Sequence, residues 1–99
     1  MQMVLMTFRS SMEDDLLKWL KAEGISFTYV GNARGKGETG QDLDRIYGGG
    51  TNTMLFAGIP DEQLSGFRDR AYNLNRTLTQ DGQVSLPFHV FVLPCIQWF

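Results

Sequence analysis

Residues 52–78 read NTMLFAGIPDEQLSGFRDRAYNLNRTL, and this stretch places a β-favouring apolar run directly before a helical pattern. Pro60 followed by acidic residues is typical of a first helical turn. Beyond it, apolar residues recur at alternating steps of three and four, the spacing of one helix face. They are Leu64, Phe67, Ala71, Leu74 and Leu78. The stretch therefore predicts a strand over 52–59 and a helix that ends near Asp81-Gly82.

The first part of the chain shows the same alternation of strand and helix. Residues 2–8 form a short apolar run, typical of a buried strand. Ser10 and Ser11 each have an acidic residue three positions later, which predicts a helix N-cap, and Gly24 offers the C-terminal stop. Between them, apolar residues recur at helical spacing: Met12, Leu16, Leu17 and Leu20.

Two further segments predict strands. Residues 25–30 alternate between apolar and polar side chains, which places Ile25, Phe27 and Tyr29 on one face. Residues 88–93 form a last apolar strand closed by Pro94. The order β-α-β-β-α-β predicts an α+β, ferredoxin-like split βαβ fold, with two helices on one face of a four-stranded antiparallel sheet. We expect residues 1–99 to form one domain.

The first, third and last strands are apolar at both odd and even positions, as Met3 and Leu5 against Val4 and Met6 illustrate. Helices on one face would leave the second apolar face exposed, so we predict self-association through it. The alternative is that both sets belong to one thick core. Trp98 and Phe99 also allow two interpretations: they anchor the chain on a neighbouring subunit, or they form a frayed end.

Composition excludes several classes of protein. The chain carries 9 Lys plus Arg against 11 Asp plus Glu, a net charge of -2, so it has no basic field for nucleic acid or an acidic membrane. Its one cysteine, Cys95, cannot form an internal disulfide, which favours a reducing compartment. The opening apolar run is too short for membrane insertion. We therefore expect a cytoplasmic protein.

A long glycine-rich loop runs from Arg34 to Thr51. Residues 35–40 match G-x-G-x-x-G, but the loop lacks the helix and the parallel crossover that a dinucleotide-binding turn needs. A P-loop is excluded because Lys36 is followed by glycine. Two interpretations remain: an anion cradle of backbone N–H groups flanked by Arg34 and Lys36, or a flexible hairpin with solvated charges.

The chain shows no set of residues for catalysis or metal binding. The loop acids match no calcium-binding pattern, and the single histidine, His89, resembles a packed structural residue. Cys95 has no adjacent base to activate it as a nucleophile. We predict no catalytic residue and no metal site, and interpret the chain as a binding protein rather than an enzyme.

Four segments occur in a characteristic order: SMEDDLL at 11–17 after the opening strand, GNARGKG at 31–37, IPDE at 59–62 and VFVLP at 90–94. Together they resemble the PII-like signalling proteins, relatives of the nitrogen regulatory protein PII. The resemblance implies a homotrimer whose sheets face inward. It also implies effector sites in the clefts between subunits, bordered by the mobile T-loop, here about residues 34–51.

In such proteins the base of the T-loop and the neighbouring strands bind an adenine nucleotide. Carried over by position, the nucleotide-binding residues are Gly31, Arg34, Gly35, Lys36, Gly37 and His89. His89 falls where the nitrogen-regulatory members have a phosphate-contacting lysine. The partner-binding part of the loop comprises Glu38, Thr39, Gln41, Asp42, Arg45 and Tyr47.

Departures from PII itself narrow these expectations. The loop is shorter, and no Gly-Asp-Gly-Lys run precedes the last strand, so sensing of ATP with 2-oxoglutarate is not implied. The likeness is greater to PII-like subgroups, including carboxysome-associated ones. It implies AMP, ADP or ATP as effector, bicarbonate as an optional second ligand, no covalent cofactor, and regulation of a protein in carbon or nitrogen metabolism.

The alternative function is a trimeric metal-responsive or metal-tolerance protein associated with a transporter. It would require His89 and Cys95 to be gathered across subunits.

Overall fold

The alternation of strand and helix is present in the computed structural model, which describes residues 1–34, 51–80 and 88–99. Its elements are β1 (Gln2–Arg9), α1 (Glu13–Ala22), β2 (Thr28–Ala33), β3 (Asn52–Ile59), α2 (Asp61–Gln80) and β4 (Phe88–Pro94). The strands form an antiparallel sheet in the order β2-β3-β1-β4. The predicted ferredoxin-like fold is confirmed. The predicted turn at 81–87 lies outside the described residues.

The start of α1 differs from the prediction, and its end agrees with it. A 3-10 turn, Ser10–Met12, precedes the helix, and Met12 is the N-cap without a side-chain capping bond. The predicted serine caps are wrong, because the Ser10 hydroxyl instead accepts a hydrogen bond from Thr51, 2.9 Å long. Gly24 does end the helix: it has φ 73°, and its N–H donates to the carbonyl of Lys21.

The second strand begins three residues later than predicted. Ile25 donates its N–H to the carbonyl of Leu20 at 3.2 Å, so its backbone still belongs to the helix C-terminus rather than to the sheet. Ile25 and Phe27 are half-buried against the core, as expected for one apolar face. The strand also extends to Ala33, which places Gly31 within β2 rather than in the loop.

The core lies between the two helices and one face of the sheet. Its buried residues are Val4, Met6, Phe8, Leu16, Leu20, Leu55, Ala57, Ile59, Phe67, Ala71 and Phe88. Trp19 and Phe67 join the helices through rings whose centroids are 5.7 Å apart. The α2 stripe faces this core as predicted: Phe67 and Ala71 are buried, and the other three residues pack at its edge.

The opposite face of the sheet is apolar and is not covered by either helix. We call it the open face; register pairing places on it Met3, Leu5, Thr7, Val30, Met54, Phe56, Phe91 and Leu93. Phe91 is 53% exposed, Leu93 51% and Val30 48%. The thick-core alternative is therefore wrong, because the two sets of apolar positions lie in different environments.

Two ion pairs tie the helices to their surroundings in the described part of the chain. The Met1 amino group lies 2.9 Å from Asp61 Oδ1 at the start of α2. Their hydrogen bond raises the pKa of the amino group and lowers the pKa of the Asp61 carboxyl. Arg70 of α2 pairs with Glu23 at the end of α1. Both pairs lie at the surface, so they orient the helix ends more than they stabilise the fold.

Candidate functional site

The base of the glycine-rich loop is held in a defined position by the rest of the fold. Ala33 of β2 pairs with Asn52 of β3, and the next residue, Arg34, is exposed. The Ser10 N–H donates to the carbonyl of Thr51 at 3.2 Å, in addition to the hydroxyl contact between these residues. These bonds fix the loop base against the β1–α1 connection.

The C-terminal end of β2 has an irregular backbone that exposes main-chain groups. The register with β3 shifts between Val30 and Ala33, and Asn32 adopts a left-handed φ of 57°, which asparagine tolerates better than most residues. Gly31 is exposed, and a Cβ added there would meet no atom within 4 Å. A ligand can therefore approach this backbone closely, whereas an alanine would project into that space.

The helix side of the loop base is acidic. Buried Thr53 donates a 3.4 Å hydrogen bond to Glu13 Oε2, so a carboxylate lies beside the start of β3. The first turn of α1 carries three acids in all, Glu13, Asp14 and Asp15. These charges oppose an anion at the helix N-terminus, so an anion is better accommodated on the opposite side of the sheet.

That opposite side carries a group of polar residues at the loop end of the open face. We call this group the polar end; it consists of Thr7, Arg9, Asn52 and His89. The strand register places Arg9 opposite Asn52 and Thr7 opposite His89. Arg9 was missed from the sequence, although its odd position on β1, shared with Met3 and Leu5, is a signal that could have found it. Its guanidinium is suited to binding phosphate or carboxylate.

His89 lies on the same face as the loop base but at the other edge of the sheet. It is half-buried, and its ring stacks on Phe91 with centroids 6.3 Å apart. The row that contains it crosses the sheet through Thr7 and Met54 to Val30. Three strand spacings separate β4 from β2, about 14 Å. One chain thus brings Gly31 and Arg34 together but leaves His89 apart from them.

The remaining predicted site residues lie outside the described residues, and the predictions on them are untested. In the nucleotide-binding set these are Gly35, Lys36 and Gly37. In the partner-binding set they are Glu38, Thr39, Gln41, Asp42, Arg45 and Tyr47.

Metal-binding groups do not converge in the described parts of the chain, where no cluster of three or more His, Cys, Asp or Glu could hold an ion. His89 lies near the start of β4 and Cys95 follows its last residue, Pro94, so the two are about 20 Å apart along an extended chain. A site that uses both would need two chains. Neither α1 nor α2 is long and apolar enough to cross a membrane.

Comparison with known proteins found similarity only among solved structures. No protein-family model matches the sequence, and a search of curated proteins found no match. CPII from Thiomonas intermedia K12, bound to ADP, AMP and acetate, superposes with a TM-score of 0.65 at 18% identity, over 93% of this chain and 82% of that one.

Two further structures show the same similarity. The same nitrogen regulatory PII-like protein bound to ADP, AMP and bicarbonate gives a TM-score of 0.59 at 20% identity, covering 92% of this chain and 81% of that one. A PII-like signalling protein from Thermus thermophilus gives 0.55 at 20% identity, covering 92% and 82%. The predicted resemblance is confirmed at the level of architecture: this chain has the fold of the PII-like proteins.

Proposed function

We propose that the chain is a trimeric PII-like signal-transduction protein that binds an adenine nucleotide in the clefts between its subunits. The observation that carries this proposal is the separation of the phosphate-binding groups. Gly31 and Arg34 lie on the β2 edge and His89 lies on the β4 edge, all towards the same end of the sheet. In the proposed cyclic trimer, the β4 edge of one copy lies beside the β2 edge of the next, so that two copies complete one site.

The open face supports the assembly itself. Its exposed apolar side chains gain free energy when they are removed from water, and three copies that turn these faces inward remove them together. Its polar end then lies towards the mouths of the clefts, beside the loop bases.

The ligand chemistry follows from the groups at the cleft. Arg9 and Arg34 supply charge-assisted donors for phosphate oxygens, and the backbone at Gly31 allows a close approach. The similar structures from Thiomonas intermedia hold ADP and AMP, together with bicarbonate or acetate. We therefore propose AMP, ADP or ATP as effector, with bicarbonate as a second, smaller anion.

The regulatory step is a change in the loop at 34–51. A nucleotide that contacts the loop base of one subunit and β4 of the next favours one arrangement of the loop over others. In that arrangement the loop binds a partner protein or transporter of carbon or nitrogen metabolism. A cytoplasmic location, and carboxysome association in particular, are predictions that imaging of a tagged chain would test.

Calorimetry and light scattering together test the proposal. We expect a trimer at micromolar concentration and a binding heat with at least one of AMP, ADP, ATP or cyclic AMP, measured with and without bicarbonate. A monomer would contradict the assembly. The absence of both heat and thermal shift with every nucleotide would contradict the ligand.

A mixing experiment tests whether the site lies between copies. His89→Ala and Arg34→Ala chains, each weakened in binding, are unfolded together, refolded as mixed trimers and titrated with nucleotide. Random assortment restores both residues in about a quarter of the clefts if each cleft takes one residue from each neighbour. No restored high-affinity sites are expected if both residues act within one chain, and that result would refute the cleft.

A further inference from the structure

The residues after β4 present apolar side chains to water. We call residues 95–99 the tail. Ile96 and Trp98 are each 84% exposed, and Phe99 is fully exposed. Indole and phenyl rings contribute much of the free energy of protein interfaces when they are buried. A large exposed apolar surface in so short a segment is typical of a segment that binds elsewhere.

An apolar groove on the helix side of the sheet offers a matching surface. It lies between α2 and β4 and has a volume of about 590 Å³, within the range of sites that enclose large apolar groups. Phe67, Ala71 and Phe88 form its buried floor, and Tyr72 and Val92 form its exposed sides. Near one end, Asn75 Nδ2 donates to the carbonyl of Phe88 at 3.1 Å, which ties α2 to β4.

The groove lies along an edge of the sheet. Within the described sheet β4 pairs only with β1, so its outer backbone groups can accept an added strand. Side chains of an extended segment alternate between the two faces of a sheet. A tail laid along this edge with Ile96 on the helix side therefore also places Trp98 in the groove. Gln97 and Phe99 then point to the open face, which continues its apolar surface.

The path of the chain favours the groove of a second copy. The tail leaves β4 at Pro94, beyond Val92, and its residues do not line the groove of its own chain. To return there it would have to reverse direction within Cys95-Ile96, directly after a proline with a fixed φ. An extended tail instead reaches a neighbouring chain.

We propose that the tail of one copy adds to the β4 edge of a second copy and inserts Ile96 and Trp98 into its groove between α2 and β4. Arg68 lines this groove and supplies a cation that can stack on the Trp98 indole. The contact rests on the self-association in the proposed function but uses a different surface from the open face. It occupies the Val92 end of β4 and leaves the His89 end for the nucleotide.

Cross-linking between two distinguishable chains tests this contact. Both chains carry Cys95→Ser; an affinity-tagged chain carries Ile96→Cys, which lies on the groove side and leaves Trp98 in place, and an untagged chain carries Tyr72→Cys in the groove. After mixed refolding, a short bismaleimide is expected to yield a tagged–untagged product. Adding Val92→Glu to the untagged chain places a charge in the groove and should reduce the product at least tenfold. Val92→Ile in the same position is the matched control and should preserve it.

Other results of this experiment would distinguish failure of the tail contact from failure of the proposed trimer. A single chain that carries both cysteines and cross-links within itself, with no mixed product, would show that the tail binds its own groove and would overturn the proposal. A trimer by light scattering without a mixed product would also overturn it while leaving the proposed function intact. A monomeric chain would contradict the proposed assembly as well.

Discussion

Replacing Phe91 by alanine should weaken the trimer without unfolding the chain. Phe91 lies opposite Leu5 on the open face, and 53% of its surface is exposed in the isolated chain. The substitution removes apolar surface that only assembly would bury. Its effect should therefore fall mainly on association.

The magnitude follows from this exposed fraction. Complete burial of a phenylalanine side chain is worth about 1.5 to 3 kcal/mol. About half of that, roughly 0.75 to 1.5 kcal/mol per subunit, would be gained on assembly, which is about 2 to 4.5 kcal/mol per trimer. Since 1.4 kcal/mol corresponds to a factor of ten, the trimer association constant should fall roughly 30- to 1,500-fold.

Sedimentation equilibrium over a wide range of protein concentrations measures this constant directly. Phe91→Leu is the control, because it keeps most of the apolar surface and should retain trimers at concentrations where Phe91→Ala dissociates. Circular dichroism of each dissociated chain checks that the fold is intact. Equal association constants for Phe91→Ala and the unaltered chain would refute the role of the open face.

Three other predictions concern the cleft and the core. Gly31→Ala should leave the free energy of unfolding unchanged, because the added Cβ meets no protein atom within 4 Å, and should abolish the calorimetric heat of nucleotide binding, because it projects into the space proposed for the ligand; retained affinity would show that no ligand approaches there. Arg9→Ala and Arg34→Ala should each weaken nucleotide binding by about 1 to 3 kcal/mol through a lost phosphate contact, and unchanged titrations would place the phosphate elsewhere. Leu20→Ala, at a side chain with no exposed surface, should lower the unfolding free energy by about 2 to 5 kcal/mol in urea, whereas exposed Lys21→Ala should change it by less than about 0.5 kcal/mol.

The sequence predicted correctly those elements that are set by residues close together along the chain. The α2 stripe from Leu64 to Leu78 spans four helical turns, so the repeated spacing left little ambiguity. The start of β2 was predicted too early because nothing in the alternation at 25–27 reveals that Ile25 donates its N–H back to Leu20. The serine caps failed for a related reason, since the Ser10 hydroxyl is used by Thr51, a residue 41 positions away.

The candidate site depends on more than local patterns. The resemblance predicted Gly31, Arg34 and His89 as nucleotide-binding residues, and these stay predictions. It did not point to Arg9, whose candidacy depends on which face of the sheet it occupies. Periodicity shows that alternate residues of β1 lie on opposite faces, and not which face the helices cover. That choice follows from packing of α1 and α2 against Val4, Met6 and Phe8.

Local sequence patterns therefore specify the order of strands and helices, the two apolar faces of the sheet and the position of the loop along the chain. These properties arise from spacing, turn residues and composition along a few consecutive residues. The polar group at the end of the open face, and the three strand spacings between His89 and Gly31, depend on how the strands pair in the folded chain. Strand order and register are set by contacts between distant segments, and no local pattern encodes them.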